Sequence, residues 1–147
     1  MEYTKLKDGI SFGRLSEMIE VVVIPEGYEN IKNEVFAGLY PNLKKIVCPS
    51  TLRNASYRCF SCCNPVQEIV LNDGLEFIGS EAFQGTTTIE RITIPNSVEF
   101  IGENAFRGCT NLKSINIDKT EGYIAGAPWG APESTEVIWG VWYRWLI

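Results

Sequence analysis

Histidine is absent from all 147 residues. With it go the commonest general base, the commonest metal ligand and the one unperturbed side chain that titrates near neutral pH. Also missing is any apolar stretch near the roughly 20 residues that a helix needs to cross a bilayer. The opening Met1-Glu2-Tyr3-Thr4-Lys5-Leu6-Lys7-Asp8 holds no apolar run of signal-peptide length. As written, the chain reads as soluble and cytoplasmic, with no membrane insertion. Cations are in the minority, 13 Lys+Arg against 18 Asp+Glu for a net charge of −5. They are scattered, so no basic stripe exists to track phosphates, which argues against a nucleic-acid partner and against attraction to anionic lipid.

What the chain has is a repeat, which is read before any local structure. Aromatic residues recur at Phe12, Phe36, Phe60, Phe83, Phe106 and Trp129, in steps of 24, 24, 23, 23 and 23. Four aliphatic columns keep the same phase. One is Val22, Ile46, Ile69, Ile92, Ile115 and Ile138; the next is Ile24, Cys48, Leu71, Ile94 and Ile117. The others are Ile19, Leu43, Val66, Ile89 and Leu112, and Ile31, Ala55, Ile78, Ile101 and Ile124. The longer early steps place one extra residue near Tyr40-Pro41, where a loop tip tolerates it.

Within a unit, Ile92-Thr93-Ile94 and Ile115-Asn116-Ile117 alternate apolar and polar, the pattern of a short strand with one buried face. Pro25, Pro49 and Pro95 follow at one phase, where proline ends a strand without breaking a ladder. Gly79-Ser80-Glu81-Ala82-Phe83 has the look of a helical turn laying its Phe inward, with Gly38, Gly85 and Gly108 supplying a flexible backbone position after the aromatic. One such unit cannot bury its own apolar residues, but stacked units can, each column becoming a ladder with a rung about every 4.8 Å. The expectation is an α/β repeat: a right-handed β-solenoid of about five to six coils with short parallel strands and short helical turns. A single domain would span 1–147, with an N-terminal cap over 1–11, repeats over 12–139 and a Trp-rich tail over 140–147.

The unit running from Ile92-Thr93-Ile94-Pro95-Asn96-Ser97-Val98 through Phe100-Ile101-Gly102 to Ala105-Phe106-Arg107-Gly108-Cys109 and Leu112 resembles the BspA-type leucine-rich repeat. That family's unit reads I-x-I-P-x-S-V-x-x-I-G-x-x-A-F-x-G-C-x-x-L. The resemblance extends over about residues 12 to 140 and is strongest from 69 to 117; Ala125 to Pro132 is similar to the closing unit of many such bacterial proteins. It implies a leucine-rich-repeat-like solenoid of bacterial origin that binds a protein, or a glycan, and has no enzymatic activity. Many members are adhesin-like proteins of the cell surface, so a surface or secreted location follows only if the analogy holds.

Several residues invite sharper readings. Cys59, Cys62 and Cys63 form C-x-x-C-C, yet the repeat puts each where a small or apolar residue belongs, so they read as packing rather than as metal ligands. Glu76 and Glu99 are 23 apart and would lie on adjacent coils at about the 5 Å that retaining glycosidases use. A catalytic acid needs an enclosure to raise its pKa, and none is implied, so a glycan-processing enzyme is the weakest reading. No catalytic residue, metal or cofactor is assigned. The exposed strand face is the leading surface: a row of Val23, Val47, Val70, Thr93 and Asn116, flanked by Lys45, Glu68, Arg91 and Ser114, whose alternating signs suit ion pairs between coils. The plain alternative is that β-branched residues merely favour strands. The second surface is the tail, where Trp139, Trp142 and Trp145 sit in an alternating apolar run from Val137 to Ile147. It would cap the core and could pair with a second copy, making a homo-oligomer and an assembly protein.

Overall fold

The computed structural model describes residues 17–36 and 40–140. Phe12, Gly38, the expected 1–11 cap, and Trp142 and Trp145 of the tail lie outside the described residues. Two sets of short strands alternate along the chain. The longer set is β1 (Val21–Val23), β3 (Lys45–Val47), β5 (Glu68–Val70), β7 (Arg91–Ile94), β9 (Ser114–Ile117) and β10 (Glu136–Trp139). The shorter set is β2 (Asn30–Ile31), β4 (Asn54–Ala55), β6 (Phe77–Ile78) and β8 (Phe100–Ile101). All pairings are parallel, each strand with its counterpart one coil away, as in Val22↔Ile46↔Ile69 and Ile31↔Ala55↔Ile78↔Ile101. The result is a parallel β-solenoid of about five turns.

The aromatic column is its spine. Phe36, Phe60, Phe83 and Phe106 are buried and stack nearly parallel, with centroids 5.8, 5.3 and 5.2 Å apart and ring planes within 20°. Burying each ring contributes about 1.5–3 kcal/mol. At the far end the stack is closed by tilt: Trp129 meets Phe106 at 63°, and Trp139 meets Trp129 at 59°. At the near end Tyr40 turns inward onto Phe36, so the extra residue expected at a loop tip lies beside a side chain that is core.

The expected helical turns do not form; no α-helix occurs among the described residues. The arc from Gly79 to Thr86 shows why. The N–H groups of Ala82, Gln84 and Thr86 donate back three residues, to Gly79, Glu81 and Phe83. The alternate N–H groups of Glu81, Phe83 and Gly85 donate instead to Glu103, Ala105 and Arg107 of the next coil. Half the donors a helix would use are committed between coils. Glu81 also sits at φ 56°, and Glu34, Arg58 and Asn104 take the same left-handed conformation at the same phase, which no helix accommodates. A column of alternating charge steadies these positions: Arg58 Nε lies 2.6 Å from Glu81 and its Nη1 3.7 Å from Glu34.

Packing between coils is close enough to dictate composition. A Cβ added at Gly79 would lie 2.7 Å from the backbone of Ser56 and Tyr57, which explains the glycine after the aliphatic residue. Cys63, Thr86 and Cys109 share another phase, and each donates to the Phe carbonyl of the preceding coil: Cys63 Sγ to Phe36 O at 3.2 Å, Thr86 Oγ1 to Phe60 O at 2.6 Å, Cys109 Sγ to Phe83 O at 3.0 Å. Burial pushes the Cys109 thiol up to about 12, so it stays protonated and able to donate. Cys48, up to about 12 for the same reason, and Cys59, whose thiol full burial also raises, fill apolar slots; Cys62 alone of the five is exposed.

One column shifts. The last coil enters its strand one residue early, so Glu136 pairs with Ser114 and Val137 with Ile115. Val137, not Ile138, occupies the core column, and Ile138 faces outward at 42% exposure. Trp139 pairs with Ile117 and is half-buried against the end of the aromatic stack.

Three outcomes are expected in denaturant melts. Phe83→Ala, in mid-stack, should cost about 3–5 kcal/mol, and a smaller loss would mean that the stack is not the spine. Cys109→Thr should leave stability nearly unchanged, because Thr86 already performs this role one coil earlier. Cys109→Val, of the same shape, should cost about 0.5–1.5 kcal/mol, because the Phe83 carbonyl loses the thiol donor and keeps only the Thr86 N–H. Equal stability of the two variants would reduce the position to plain packing.

Candidate functional site

The strands of the longer set turn one side chain of each pair outward because inward and outward positions alternate. The outward row runs Val23, Val47, Val70, Thr93, Asn116 and Ile138. Val23, Thr93 and Ile138 are exposed, while Val47, Val70 and Asn116 are half-buried between their neighbours. Beside it lie Lys45, Glu68, Arg91 and Ser114 in register. Of the expected ion pairs, Lys45 Nζ to Glu68 Oε2 forms at 3.3 Å, and none joins Glu68 to Arg91.

That missing pair coincides with a break in the sheet. β1-β3-β5 and β7-β9-β10 are two separate three-stranded ladders, whereas β2-β4-β6-β8 is continuous. At three of the other four junctions a carbonyl at the strand entry takes two N–H groups from the next coil, Glu20 from Lys44 and Lys45, Lys44 from Gln67 and Glu68, Glu90 from Lys113 and Ser114, and at the fourth Lys113 takes one, from Glu136. Gln67 receives no such bond from Glu90 and Arg91. The chain there bonds Asn64 and Val66, the Thr87 N–H donating to Asn64 Oδ1 at 2.8 Å and the Thr88 hydroxyl to the Val66 carbonyl. At the strand exits Cys48 N–H reaches the Val70 carbonyl and Asp118 N–H the Ile94 carbonyl, with no counterpart from Leu71 to β7.

The break opens a cleft of about 1090 Å³ across the strand face. It is lined by Gln67, Glu68, Ile69, Val70 and Leu71 on one side and by Thr88, Glu90, Arg91, Ile92 and Thr93 on the other. Leu71, in a column that is otherwise core, is half-buried for this reason. Facing strand edges without a ladder present main-chain donors and acceptors, the groups that an added segment of polypeptide can satisfy. Glu90 is held below the usual carboxylate range by Lys113, whose ammonium lies 2.9 Å away. Arg91 has no ion pair with a described residue and keeps its guanidinium available. Of the residues singled out in the sequence, Glu68, Val70, Arg91 and Thr93 meet at this cleft; Val23, Val47 and Lys45 lie on the preceding coils. Asn116 and Trp139 line a second hollow of about 200 Å³ with Thr93, Asp118 and Ile138.

Glu76 and Glu99 stand on neighbouring coils of the shorter sheet, where the Glu99 N–H donates to the Glu76 carbonyl at 2.8 Å. Glu76 is half-exposed, paired with Arg53 at 3.7 Å, and Glu99 is exposed. Neither lines either cleft. Among the described residues no three His, Cys, Asp or Glu side chains converge as metal ligands. No helix of the described residues is long and apolar enough to cross a membrane.

One surface escaped the sequence reading. Phe77 and Phe100 pair in register on β6 and β8 and are 43% and 53% exposed. Tyr123, another 23 residues on, is exposed and precedes the buried Ile124 as Phe100 precedes the buried Ile101. The signal was available: this row keeps the period of the core columns, one residue ahead of the Ile78 and Ile101 positions.

The family model for the BspA type leucine rich repeat region matches residues 11–127 in six copies. A comparison with curated proteins returns no match. Among solved structures the chain is similar to a leucine rich cell surface protein from Faecalibacterium prausnitzii, with TM-score 0.71 and 20% identity over 89% of this chain and 35% of that one. It is also similar to the pneumococcal vaccine antigen PcpA, at TM-score 0.66 and 18% identity over 80% of this chain and 35% of the other. A T. pallidum leucine rich repeat protein follows at TM-score 0.56 and 22% identity, over 84% and 70% of the two chains. These likenesses concern the fold, and the chain spans about a third of the length of the first two, 35% in each case. With six copies of the repeat over most of its length, the chain belongs to the BspA-type leucine-rich-repeat family.

Proposed function

We propose that the chain is a non-enzymatic protein-interaction module, a single solenoid domain that takes its partner on the strand face at the cleft between β5 and β7. The observation that carries this reading is the break itself. A repeat that pairs every other neighbouring pair of long-set strands leaves one pair apart, exactly where apolar Val70 and Leu71 meet an unpaired Arg91. Unpaired main-chain groups, two apolar side chains and one free guanidinium suit an extended polypeptide segment carrying a carboxylate. The fold relative described as a cell surface protein makes adhesin-like display the natural setting for such a module.

The test is site-specific photo-crosslinking on the full chain incubated with candidate protein mixtures. A photoreactive phenylalanine at Val70 or Thr93 should give a discrete adduct, and the same group at Arg107, on the far side of the coil, should give none. Val70→Asp should then weaken that adduct's formation by about tenfold or more, the scale of a central interface residue. Adducts formed equally at Arg107, or unaffected by Val70→Asp, would sink the proposal.

A rival reading, assembly through the C-terminal segment, draws on Ile138 and on the hollow beside Trp139 at the end of the strand face. Light scattering after size exclusion separates the two. A module that docks at the cleft should be a monomer both as the full chain and as a chain ending at Gly140. An oligomer that becomes a monomer on truncation would give assembly the lead.

A further inference from the structure

We infer that the strip formed by Phe77 and Phe100 on β6 and β8 is a second docking surface, and that its occupant is a basic polypeptide segment carrying Lys or Arg at alternate positions. This surface is distinct from the cleft between β5 and β7, and stands on different residues. The two rings make no ring contact with one another, although their strands pair in register. Each therefore keeps a free face toward solvent, and exposed aromatic pairs of this kind mark interaction surfaces.

The charge around the rings selects the occupant. Glu76 and Glu99 immediately precede the two phenylalanines. Arg53, one coil earlier at the same phase, answers Glu76 at 3.7 Å. The corresponding position one coil beyond Glu99 is Gly122, and Glu99 has no ion pair with a described residue. The strip thus presents open aromatic faces beside an unanswered carboxylate, on a chain whose net charge is −5.

The protein itself shows what fills such a site. Arg58 lies 5.2 Å from the Tyr57 ring centroid while its Nε bonds Glu81 at 2.6 Å, one cation shared between a ring and a carboxylate. Lys119 Nζ lies 4.7 Å over Tyr123, the next aromatic of the same row. A cation held over a ring gains about 0.5–1 kcal/mol at an exposed site and more when desolvated. Phe77 and Phe100 are the members of this row left without one. Alternate side chains of an extended peptide are about 6.6 Å apart, and neighbouring strands about 4.8 Å. A chain laid along the solenoid axis therefore brings a cation to each ring at every second residue, the flexible Lys or Arg stems taking up the difference between the two spacings. A second copy of this chain fits poorly, because an isologous contact would set the strip's own acids against each other.

The test is calorimetric titration of the full chain with acetyl-(Arg-Ser)3-amide at low salt. Binding is expected, and should be absent for the matched Gln-Ser peptide. It should weaken about tenfold in Phe77→Ser/Phe100→Ser and about threefold in Glu99→Gln, with the melts of both variants confirming that they fold. Val70→Asp should bind the peptide as the parent does, which keeps failure here separate from failure at the cleft. Three results would overturn the inference: peptide binding indifferent to loss of both rings, a neutral oligosaccharide such as cellohexaose bound in place of the peptide through the same rings, or a concentration-dependent dimer abolished by Phe100→Ser.

Discussion

Successive coils of this chain lie one strand spacing apart, about 4.8 Å, and everything else in the molecule is subordinate to that distance. A flat ring thick enough to fill one coil repeats without waste, which is why Phe36, Phe60, Phe83 and Phe106 stack within 20° of parallel rather than adopting the edge-on contacts aromatic pairs often prefer. The same spacing leaves no room for a side chain at Gly79 or Gly102. It also decides where the backbone donors go. In the arcs, alternate N–H groups must reach the neighbouring coil, so a helix, which keeps its donors to itself, is excluded by the stacking rather than by weak propensity.

Because each inward position answers to the coil above and the coil below, the interior admits little variation. Cys63, Thr86 and Cys109 illustrate the tolerance that remains: residues differ, but each is small and offers one proton to the carbonyl beneath. Outward positions carry no such obligation. The outward row runs from three valines through Thr93 and Asn116 to Ile138, and the row beside Ile78 and Ile101 runs from Asn30 and Asn54 to Phe77 and Phe100. A solenoid of this kind fixes its inward positions by stacking and leaves its outward ones free to vary.

What could be read beforehand follows that division. The columns, the stacking and the parallel register were legible because a 23- or 24-residue period in apolar residues has no other physical solution at this length. The helical turns were misjudged because Gly79 to Phe83 carries no residue that forbids a helix; the obstacle is a neighbouring coil, which no local window contains. Ile138 was placed inward because Val137 and Ile138 are both apolar, so the pattern could not report that the last coil had lost a residue. The break between β5 and β7 was invisible for a related reason. Ile69 and Ile92 keep perfect phase, and the polar bonds that accompany the parting of their strands, around Asn64 and Thr88, lie outside any hydrophobic column. Phe77 and Phe100 were overlooked on a different ground, since aromatic residues at the repeat period are naturally credited to the core.

The exposed row at Phe77 and Phe100 differs from the core columns in phase alone. A periodic aromatic row is core when its phase points inward and an exposed strip when it is displaced by one residue along a strand, because adjacent strand positions face opposite sides. Phe100 and Ile101 are neighbours in sequence, yet one is more than half exposed and the other is buried. A single-residue change of register therefore converts a stabilising ladder into a row of apolar side chains facing solvent. In this chain the covering is partly internal, since Lys119 sits over Tyr123, and partly lacking, since nothing among the described residues lies over Phe77 and Phe100 in the same way. The phase of a row relative to the buried column, more than its composition, separates the residues that hold a solenoid together from those it turns to solvent.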